Sequence, residues 1–296
     1  MFEDIQKNKM KSWFIVLLFL VFISFIVYYI CLALDLGPTS IIIAMIFSIA
    51  TTWGSYYYSD KIVLSLNKAR PATEEENLRL VNILEALVVS SGLNAMPKLY
   101  IVEDSQPNAF ATGRNPENAV ICLTTGIIDK LDKYELEGVI AHELSHIKNY
   151  DILLSTVISV FVGLVVILSD FFSRWMFRSS RRDNDNNSSS AIFALIAIVF
   201  LILSPIFATL MQLLISRKRE YLADASAVEL TRNPDGLINA LIKISSDDEP
   251  IETANKSTAH LYIVNPFKEK RNKSKDNLMS THPSLENRIN ALRNIK

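Results

Sequence analysis

The chain has 296 residues, 50% of them apolar, and carries a formal net charge of −1. This composition is too apolar for a simple soluble enzyme, and the near-zero charge argues against a nucleic-acid partner. The cysteines imply no disulfide framework, because Cys31 lies in an apolar segment and Cys122 in a predicted strand.

The apolar residues concentrate in four segments, each close to or above the roughly 18 to 20 residues that cross the hydrocarbon core of a bilayer. We predict four transmembrane helices, over residues 12–34, 38–58, 152–177 and 191–215, with a polar loop over 178–190. A core helix of a soluble protein keeps a polar face, whereas the first segment is apolar on all sides. Asp170 interrupts the third segment, which ends among aromatic and arginine side chains, so a full crossing and a dip into the bilayer both stay open.

Basic residues indicate how the first two segments are oriented. Lys7, Lys9 and Lys11 precede the first segment and further lysines follow the second, whereas the loop between them has neither lysine nor arginine. The positive-inside rule then places the N-terminus and the polar part after residue 59 in the cytoplasm. The arginines within residues 174–182 oppose this topology. A cleavable signal peptide is not predicted, because the first apolar run is too long for one.

The chain divides into two membrane hairpins, over residues 1–59 and 151–215, and two polar parts, over residues 60–150 and 216–296. We expect the polar parts to form one cytoplasmic domain with a small sheet. The fold class is therefore a mainly α integral membrane protein that carries an α+β domain.

Hydrophobic periodicity and turn residues predict the elements of the polar parts. Helices are expected over residues 73–90, where Thr73 opens a capping box, and over 134–149, 216–231 and 284–294. Strands are expected over residues 99–102 and 119–124. The stretch 245–277 is rich in lysine, asparagine and serine, and we predict a mobile loop there.

Residues 142–146 read His-Glu-Leu-Ser-His within the helix predicted over 134–149. Histidines four positions apart lie on one helix face, so His142 and His146 are placed to bind one tetrahedral zinc ion. Glu143 is placed to take a proton from the attacking water and pass it to the leaving amine. The pattern predicts a zincin-type metalloprotease, whereas the alternative is a pair of ordinary helix histidines beside a solvated glutamate.

The third metal ligand has to come from another part of the chain. His146 precedes the third apolar segment by six residues and Glu220 follows the fourth by five, so both are expected at a similar depth beside the membrane. Glu220 is the predicted ligand, and Asp224, one helical turn later, is predicted to orient a ligand imidazole. The alternative for both acids is a charged helix face beside the membrane.

Two further histidines are rival ligands, His260 and His282. His282 opens the last predicted helix, on which Arg288 lies. A rigidly placed His282 and Arg288 would be able to stabilise the oxyanion formed during peptide hydrolysis.

The segment over residues 108–113 is short, uncharged and followed by a predicted strand. A protease needs a free strand edge to pair with the substrate backbone, and the amide of Asn108 is suited to bond a substrate carbonyl. The alternative is a plain hairpin without a role in binding.

With these motifs assembled, the chain resembles the HtpX family of membrane zinc metalloproteases, within the group that also holds the CAAX prenyl proteases. The resemblance rests on Asn-Ala-Phe-Ala-Thr-Gly at 108–113, Ala-His-Glu-Leu-Ser-His-Ile at 141–147, Arg-Glu-Tyr-Leu-Ala-Asp at 219–224, and Thr-His-Pro-Ser at 281–284 followed by Arg288. It implies one zinc ion held by His142, His146 and Glu220, with Glu143 catalytic. It further implies that Asn108 contacts substrate and that His282 binds substrate or stabilises the transition state.

The leading functional hypothesis is an endopeptidase that acts on membrane proteins, and the resemblance implies that it cleaves misfolded or damaged ones at the cytoplasmic face of the cell membrane. Its expected partners are polypeptides and the lipid bilayer. A processing protease for a lipid-modified or signalling peptide would use the same chemistry. A non-catalytic zinc-dependent scaffold is the alternative from a different functional class, and it would predict a damaged site.

Overall fold

The computed structural model describes residues 2–33, 36–179, 199, 216–247, 249–267 and 283–295. The described part is mainly helical with a small mixed sheet, which confirms the predicted fold class. Apart from residue 199, the predicted fourth span over 191–215 lies outside the described residues, and so does His282.

Three described helices are long and apolar enough to cross a membrane. They are α1 (Phe2–Ala33), α2 (Ser40–Tyr57) and α7 (Asp151–Ser179), and their candidate spans cover Ile5–Leu32, Ser40–Tyr57 and Asp151–Phe171. The outward faces of α1 and α2 expose large apolar side chains such as Trp13, Phe14 and Ile46, as lipid-facing helices do. The first helix begins ten residues before the predicted span at residue 12.

The third candidate span differs from the other two in its surroundings. Within its apolar window 67% of the residues are buried inside the protein, against 22% in each of the other spans. The first turns of α7 pack beneath the sheet, and Phe161 stacks on Phe19 of α1. The predicted third segment is therefore helical, and protein rather than lipid surrounds its first half.

The sheet has four strands in the order β1-β2-β4-β3. The strands are β1 (Arg70–Pro71), β2 (Lys98–Val102), β3 (Ala109–Gly113) and β4 (Ala119–Thr124). The two predicted strands, β2 and β4, pair in parallel, and β3 pairs antiparallel with β4. The segment predicted to offer a free edge is thus a strand at the edge of the sheet.

Helix α6 (Lys133–Lys148) carries the two motif histidines. The remaining described helices are α3 (Ser59–Leu66), α4 (Glu74–Ser91), α5 (Thr125–Lys130), α8 (Arg217–Thr231), α9 (Pro234–Ser246) and α10 (Leu285–Arg293). Three of them, α4, α8 and α9, pack against α6. Helix α4 begins with the predicted capping box, in which the Thr73 hydroxyl accepts from the Glu76 N–H and the Glu76 carboxylate accepts from the Thr73 N–H. Helix α6 has a capping box of its own, formed by Asp132 and Glu135.

The prediction of a mobile loop over 245–277 is wrong for the described residues 249–267. Tyr262 and Ile263 are buried, and the Ile263 N–H donates to the Ala109 carbonyl at 2.9 Å. Tyr262 forms an antiparallel bridge with Phe110 of β3. Residues 261–264 are a short apolar stretch within this polar region, and they pair with the edge strand β3.

Gly138 should be required for the close packing of α6 on α9. A Cβ added there would lie 2.8 Å from the Leu237 backbone nitrogen and 2.9 Å from its Cα. Gly138→Ala should lower the free energy of unfolding by about 1–3 kcal/mol, because backbone atoms have no room to move aside. Thermal unfolding in detergent measures this, with Gly163→Ala in α7 as control, since its added Cβ meets its nearest atom at an ordinary 3.5 Å. Equal stability of the two variants would contradict the packing argument.

Candidate metal centre

Helices α6 and α8 bring the three predicted ligands together. The Nε2 atoms of His142 and His146 are 3.2 Å apart. Glu220 on α8 approaches both rings, with Oε1 3.5 Å from His146 Nε2 and Oε2 3.8 Å from His142 Nε2. One ligand atom from each residue lies within 4.8 Å of the others, so the set has the compactness of a metal site.

The distances fit a single divalent cation bound by these side chains. Ligand atoms at about 2.0–2.2 Å from a tetrahedral ion lie roughly 3.3–3.5 Å from one another. Two imidazole nitrogens that face each other at 3.2 Å need a proton or a cation between them. The set of two imidazoles and one carboxylate is typical of catalytic zinc sites that keep one position open.

Behind His142 stands a buried ion pair. Asp224 Oδ1 is 2.9 Å from His142 Nδ1, although the angle between them falls short of a directed hydrogen bond. Arg288 donates twice to Asp224, at 2.6 Å and 2.9 Å. Burial alone would raise the pKa of Asp224, but Arg288 and His142 together lower it to about 2. The carboxylate is therefore charged and lies beside His142, where a residue that orients a ligand imidazole would lie.

Arg288, which was predicted to contact substrate, is not among the residues that line the cleft around the predicted ligands. Its side chain is buried, and besides bonding Asp224 it donates to the Ile263 carbonyl at 3.1 Å. A buried carboxylate requires a nearby cation, and Arg288 supplies it for Asp224. The structure thus places the arginine behind the predicted ligands.

Behind His146 stands Asp151, a residue that the sequence analysis did not select. Asp151 Oδ2 is 3.1 Å from His146 Nδ1, and its Oδ1 accepts from Asn8 and Arg219. Burial alone would lower the pKa of His146, but the hydrogen bond to Asp151 and the charge of Glu220 raise it to about 9. The available signal was an acid at the first position of an apolar helix, five residues after the motif.

Glu143 is buried beside the three predicted ligands. Burial raises its pKa to about 7, against the lowering effects of His146 and Arg288 and of a hydrogen bond from the Ala111 backbone. A carboxyl group whose pKa lies near neutrality is able to both accept and return a proton. Its environment therefore suits the general base predicted from the motif.

The cleft opens along the edge of β3. The Thr124 N–H donates to the Asn108 carbonyl, and from there every second residue of β3 forms backbone hydrogen bonds with β4. The backbone N–H and C=O groups of the residues between them, Ala109, Ala111 and Gly113, point away from β4. The Ala109 carbonyl accepts from Ile263, and the Gly113 N–H donates to Thr156 Oγ1. Ala111, between them, lines the cleft that contains the predicted ligands and Glu143.

Asn108, which was predicted to contact substrate, is fully buried and is not among the residues that line the cleft. Its amide nitrogen donates to the Val264 carbonyl at 2.8 Å, and its amide oxygen accepts from the Ala109 N–H at 3.0 Å. These bonds fasten the chain around residue 264 to the start of β3. The amide therefore shapes one wall of the cleft without facing it.

Of the two rival histidines, only His260 lies among the described residues. It lines the cleft, but its Nε2 is 3.3 Å from both the Ser155 carbonyl and Ser159 Oγ, and it is not part of the ligand cluster. Its predicted role as a rival ligand is therefore not supported. His282 lies outside the described residues.

Comparison with known proteins places this geometry in a family. The model of peptidase family M48 matches residues 74–296. The chain is 45% identical to a protease HtpX homolog of Dictyoglomus turgidum, over 99% of this chain and 94% of that protein. It is 42% identical to a protease HtpX homolog of Listeria monocytogenes, over 100% of both chains. The crystal structure of S. mikatae Ste24p is similar in fold, with a TM-score of 0.50 and 20% identity over 99% of this chain and 67% of that one.

Removing the charge of Asp224 should destabilise the protein. Asp224→Asn removes the carboxylate to which the buried Arg288 donates twice and leaves it, among the described carboxylates, only Glu220, 3.7 Å away, so the free energy of unfolding should fall by about 3–5 kcal/mol. Thermal unfolding in detergent measures the loss. The matched control is Glu103→Gln, because Glu103 is an exposed partner of Arg70 and its loss should cost at most about 1 kcal/mol. If both variants unfold at the same temperature, the buried pair does not stabilise the site.

Proposed function

The chain belongs to peptidase family M48, and from this premise we propose that it is a zinc-dependent endopeptidase that cleaves membrane proteins at the cytoplasmic face of the cell membrane. One observation carries the proposal. His142, His146 and Glu220 converge in a single cleft with Glu143 beside them, and that cleft runs along the edge of a strand.

The donor set supports zinc as the metal held by His142, His146 and Glu220. When bound, zinc supplies a Lewis acid that polarises the scissile carbonyl and lowers the pKa of water to about 7. Asp224 and Asp151 stand behind the two imidazoles, so that each ring turns its Nε2 towards the cleft. Both histidines thus have the outer carboxylate partners that ligating histidines commonly have.

Glu143 is the proposed general base. Its carboxylate takes a proton from the attacking water and returns it to the leaving nitrogen of the substrate. Burial brings its pKa to about 7, so the same group is able to act in both directions near neutral pH. A non-catalytic scaffold would have no need for an acid buried in this way beside three ligands, and we therefore favour catalysis.

The edge of β3 is the proposed docking position for the substrate backbone. Ala111 faces the cleft at this edge, while its neighbours on the outward side already bond to Ile263 and Thr156. The Ala111 N–H already bonds the Glu143 carboxylate, so an extended peptide would pair through the Ala111 carbonyl and pass directly beside Glu143. Pairing with a strand edge requires an extended segment, so substrates would have to be locally unfolded.

The position of the cleft favours substrates from the membrane. Asp151, which lines the cleft, is also the first residue of the third candidate span. The lysines at positions 7, 9 and 11 support a cytoplasmic location for this end of α1. A cleft at the membrane surface that accepts unfolded chains suits the removal of misfolded or damaged membrane proteins.

Exchanging the catalytic acid tests the proposed function. Glu143→Gln should lower kcat for casein or a model membrane substrate by about 10²–10⁴-fold, because the amide cannot take the proton. Its zinc content should stay near one ion per chain, whereas His146→Ala should lose the metal. Glu137→Gln is the matched control, since it changes an acid of the same helix outside the cleft. Cleavage by Glu143→Gln at the wild-type rate would rule out the assigned mechanism.

Zinc binding should depend on pH in a defined window. A metal ligand must be deprotonated, and the pKa of His146 is raised to about 9 whereas that of Glu143 is about 7. From about pH 7.5 to about pH 8.5 the apparent zinc affinity should therefore rise about tenfold, as one proton is displaced from His146. Competition with a calibrated chelator measures this. The slope should decrease in Asp151→Asn, and an affinity constant across the window would refute the prediction.

A further inference from the structure

Asn8 is a polar residue within the first candidate membrane span, Ile5–Leu32. A carboxamide at this depth costs free energy unless its hydrogen-bonding groups are satisfied. The side chain of Asn8 is buried, and its amide nitrogen donates to Asp151 Oδ1 at 2.8 Å and to the Asn149 carbonyl at 3.2 Å. Its amide oxygen accepts from Arg219 at 3.4 Å. All of these bonds cross to segments more than a hundred residues away.

The partners of Asn8 belong to the two segments that carry the metal ligands. Asn149 ends α6, directly after the turn that bears His146, and Asp151 contacts the His146 ring. Arg219 is the neighbour of Glu220 in α8. One side chain on α1 therefore connects to both sides of the metal centre.

The two oxygens of Asp151 have separate partners. Oδ1 is held by Asn8 and Arg219, which leaves Oδ2 directed at His146 Nδ1. If Asn8 were removed, Oδ1 would lose its shorter hydrogen bond and, among the described residues, keep only the contact with Arg219, at 3.3 Å. The carboxylate would be less well fixed, and with it the orientation of the His146 ring.

Asn8 also fastens the chain reversal between α6 and α7. Tyr150, between the two helices, has a φ of +58°, which is unfavourable for a residue with a side chain. Asn8 bonds the residues on either side of it, Asn149 and Asp151. The contact thereby holds His146 and Asp151 in a fixed mutual position.

We propose that Asn8 is a positioning residue for the metal centre, so that the first membrane helix is a working part of the active site as well as an anchor. Asn8 acts through Asp151 on His146, and through Arg219 on the start of α8. This inference rests on the proposed zinc site. It predicts that a change on a membrane helix weakens metal retention without altering any ligand.

The test measures zinc release from the full-length protein in detergent, in a Glu143→Gln background that prevents self-digestion. A chromogenic chelator records the rate of release, so the result does not depend on peptidase activity. Asn8→Ala should release zinc about tenfold faster, the size expected when the outer partner of a ligating histidine is loosened. Where Asn8→Ala does not yield folded protein, Asn8→Gln replaces it, since it keeps the amide but shifts it by one methylene.

Ser12→Ala is the matched control. Ser12 is buried one turn further along α1, and its hydroxyl bonds the Asn8 carbonyl of the same helix. Its loss perturbs the packing of α1 without touching Asp151, so zinc release should stay at the rate of the parent protein. If Ser12→Ala accelerates release as much as Asn8→Ala, the effect comes from helix packing and the proposal fails.

A reciprocal exchange separates positioning from a general structural role. Asn8→Asp alone brings two carboxylates together and should accelerate release further. Combined with Asp151→Asn, the hydrogen bond is restored in the opposite direction and His146 keeps an acceptor. The double variant should then release zinc more slowly than Asn8→Asp. Release within about twofold of the parent in Asn8→Ala, or no rescue in the double variant, would overturn the proposal while leaving the Glu143 test unaffected.

Discussion

The burial of charge around one cleft is the constraint on which the rest of this structure depends. Glu143, Asp151, Glu220 and Asp224 are four buried carboxylates, and the cations facing them are Arg219 and Arg288. Unpaired charges in such surroundings are strongly unfavourable. A divalent cation between His142, His146 and Glu220 would balance the remaining negative charge. The same accounting explains why Arg288 is held behind the ligands and is not exposed to substrate.

Satisfying these groups requires elements from the whole length of the chain. Helix α6 supplies two histidines and Glu143, α8 supplies Glu220 and Asp224, α10 supplies Arg288 and α1 supplies Asn8. The close approach at Gly138 permits α9 to pack tightly against α6. Because the membrane helices enter this packing directly, the site and its anchor form one unit. This agrees with an enzyme whose substrates arrive along the bilayer.

The cleft is restricted by the chain around residues 262–264, which pairs with β3 and is fastened by Asn108. Only a short part of the strand edge, at Ala111, faces the proposed catalytic groups. A protease with such a short pairing edge aligns only a short stretch of the substrate backbone, and few substrate side chains are therefore held in fixed positions. Under the proposed function, its selectivity would then come from its location and from the unfolded state of the substrate.

The sequence by itself determined the features that depend on neighbouring residues. Helix geometry alone was enough to interpret three features: the lengths of the apolar segments, the four-residue spacing of His142 and His146, and the capping box at Thr73. The place of Glu220 in this cluster was also predictable, because its distance from the fourth predicted membrane segment matches the distance of His146 from the third. The tertiary structure decided which distant groups meet. Asp151 contacts His146, and Asn8 bonds Asp151. Arg288 and Asn108 are buried in contacts with other elements, and residues 262–264 pack along the edge of β3. These contacts depend on the relative placement of whole elements, and no local periodicity records it.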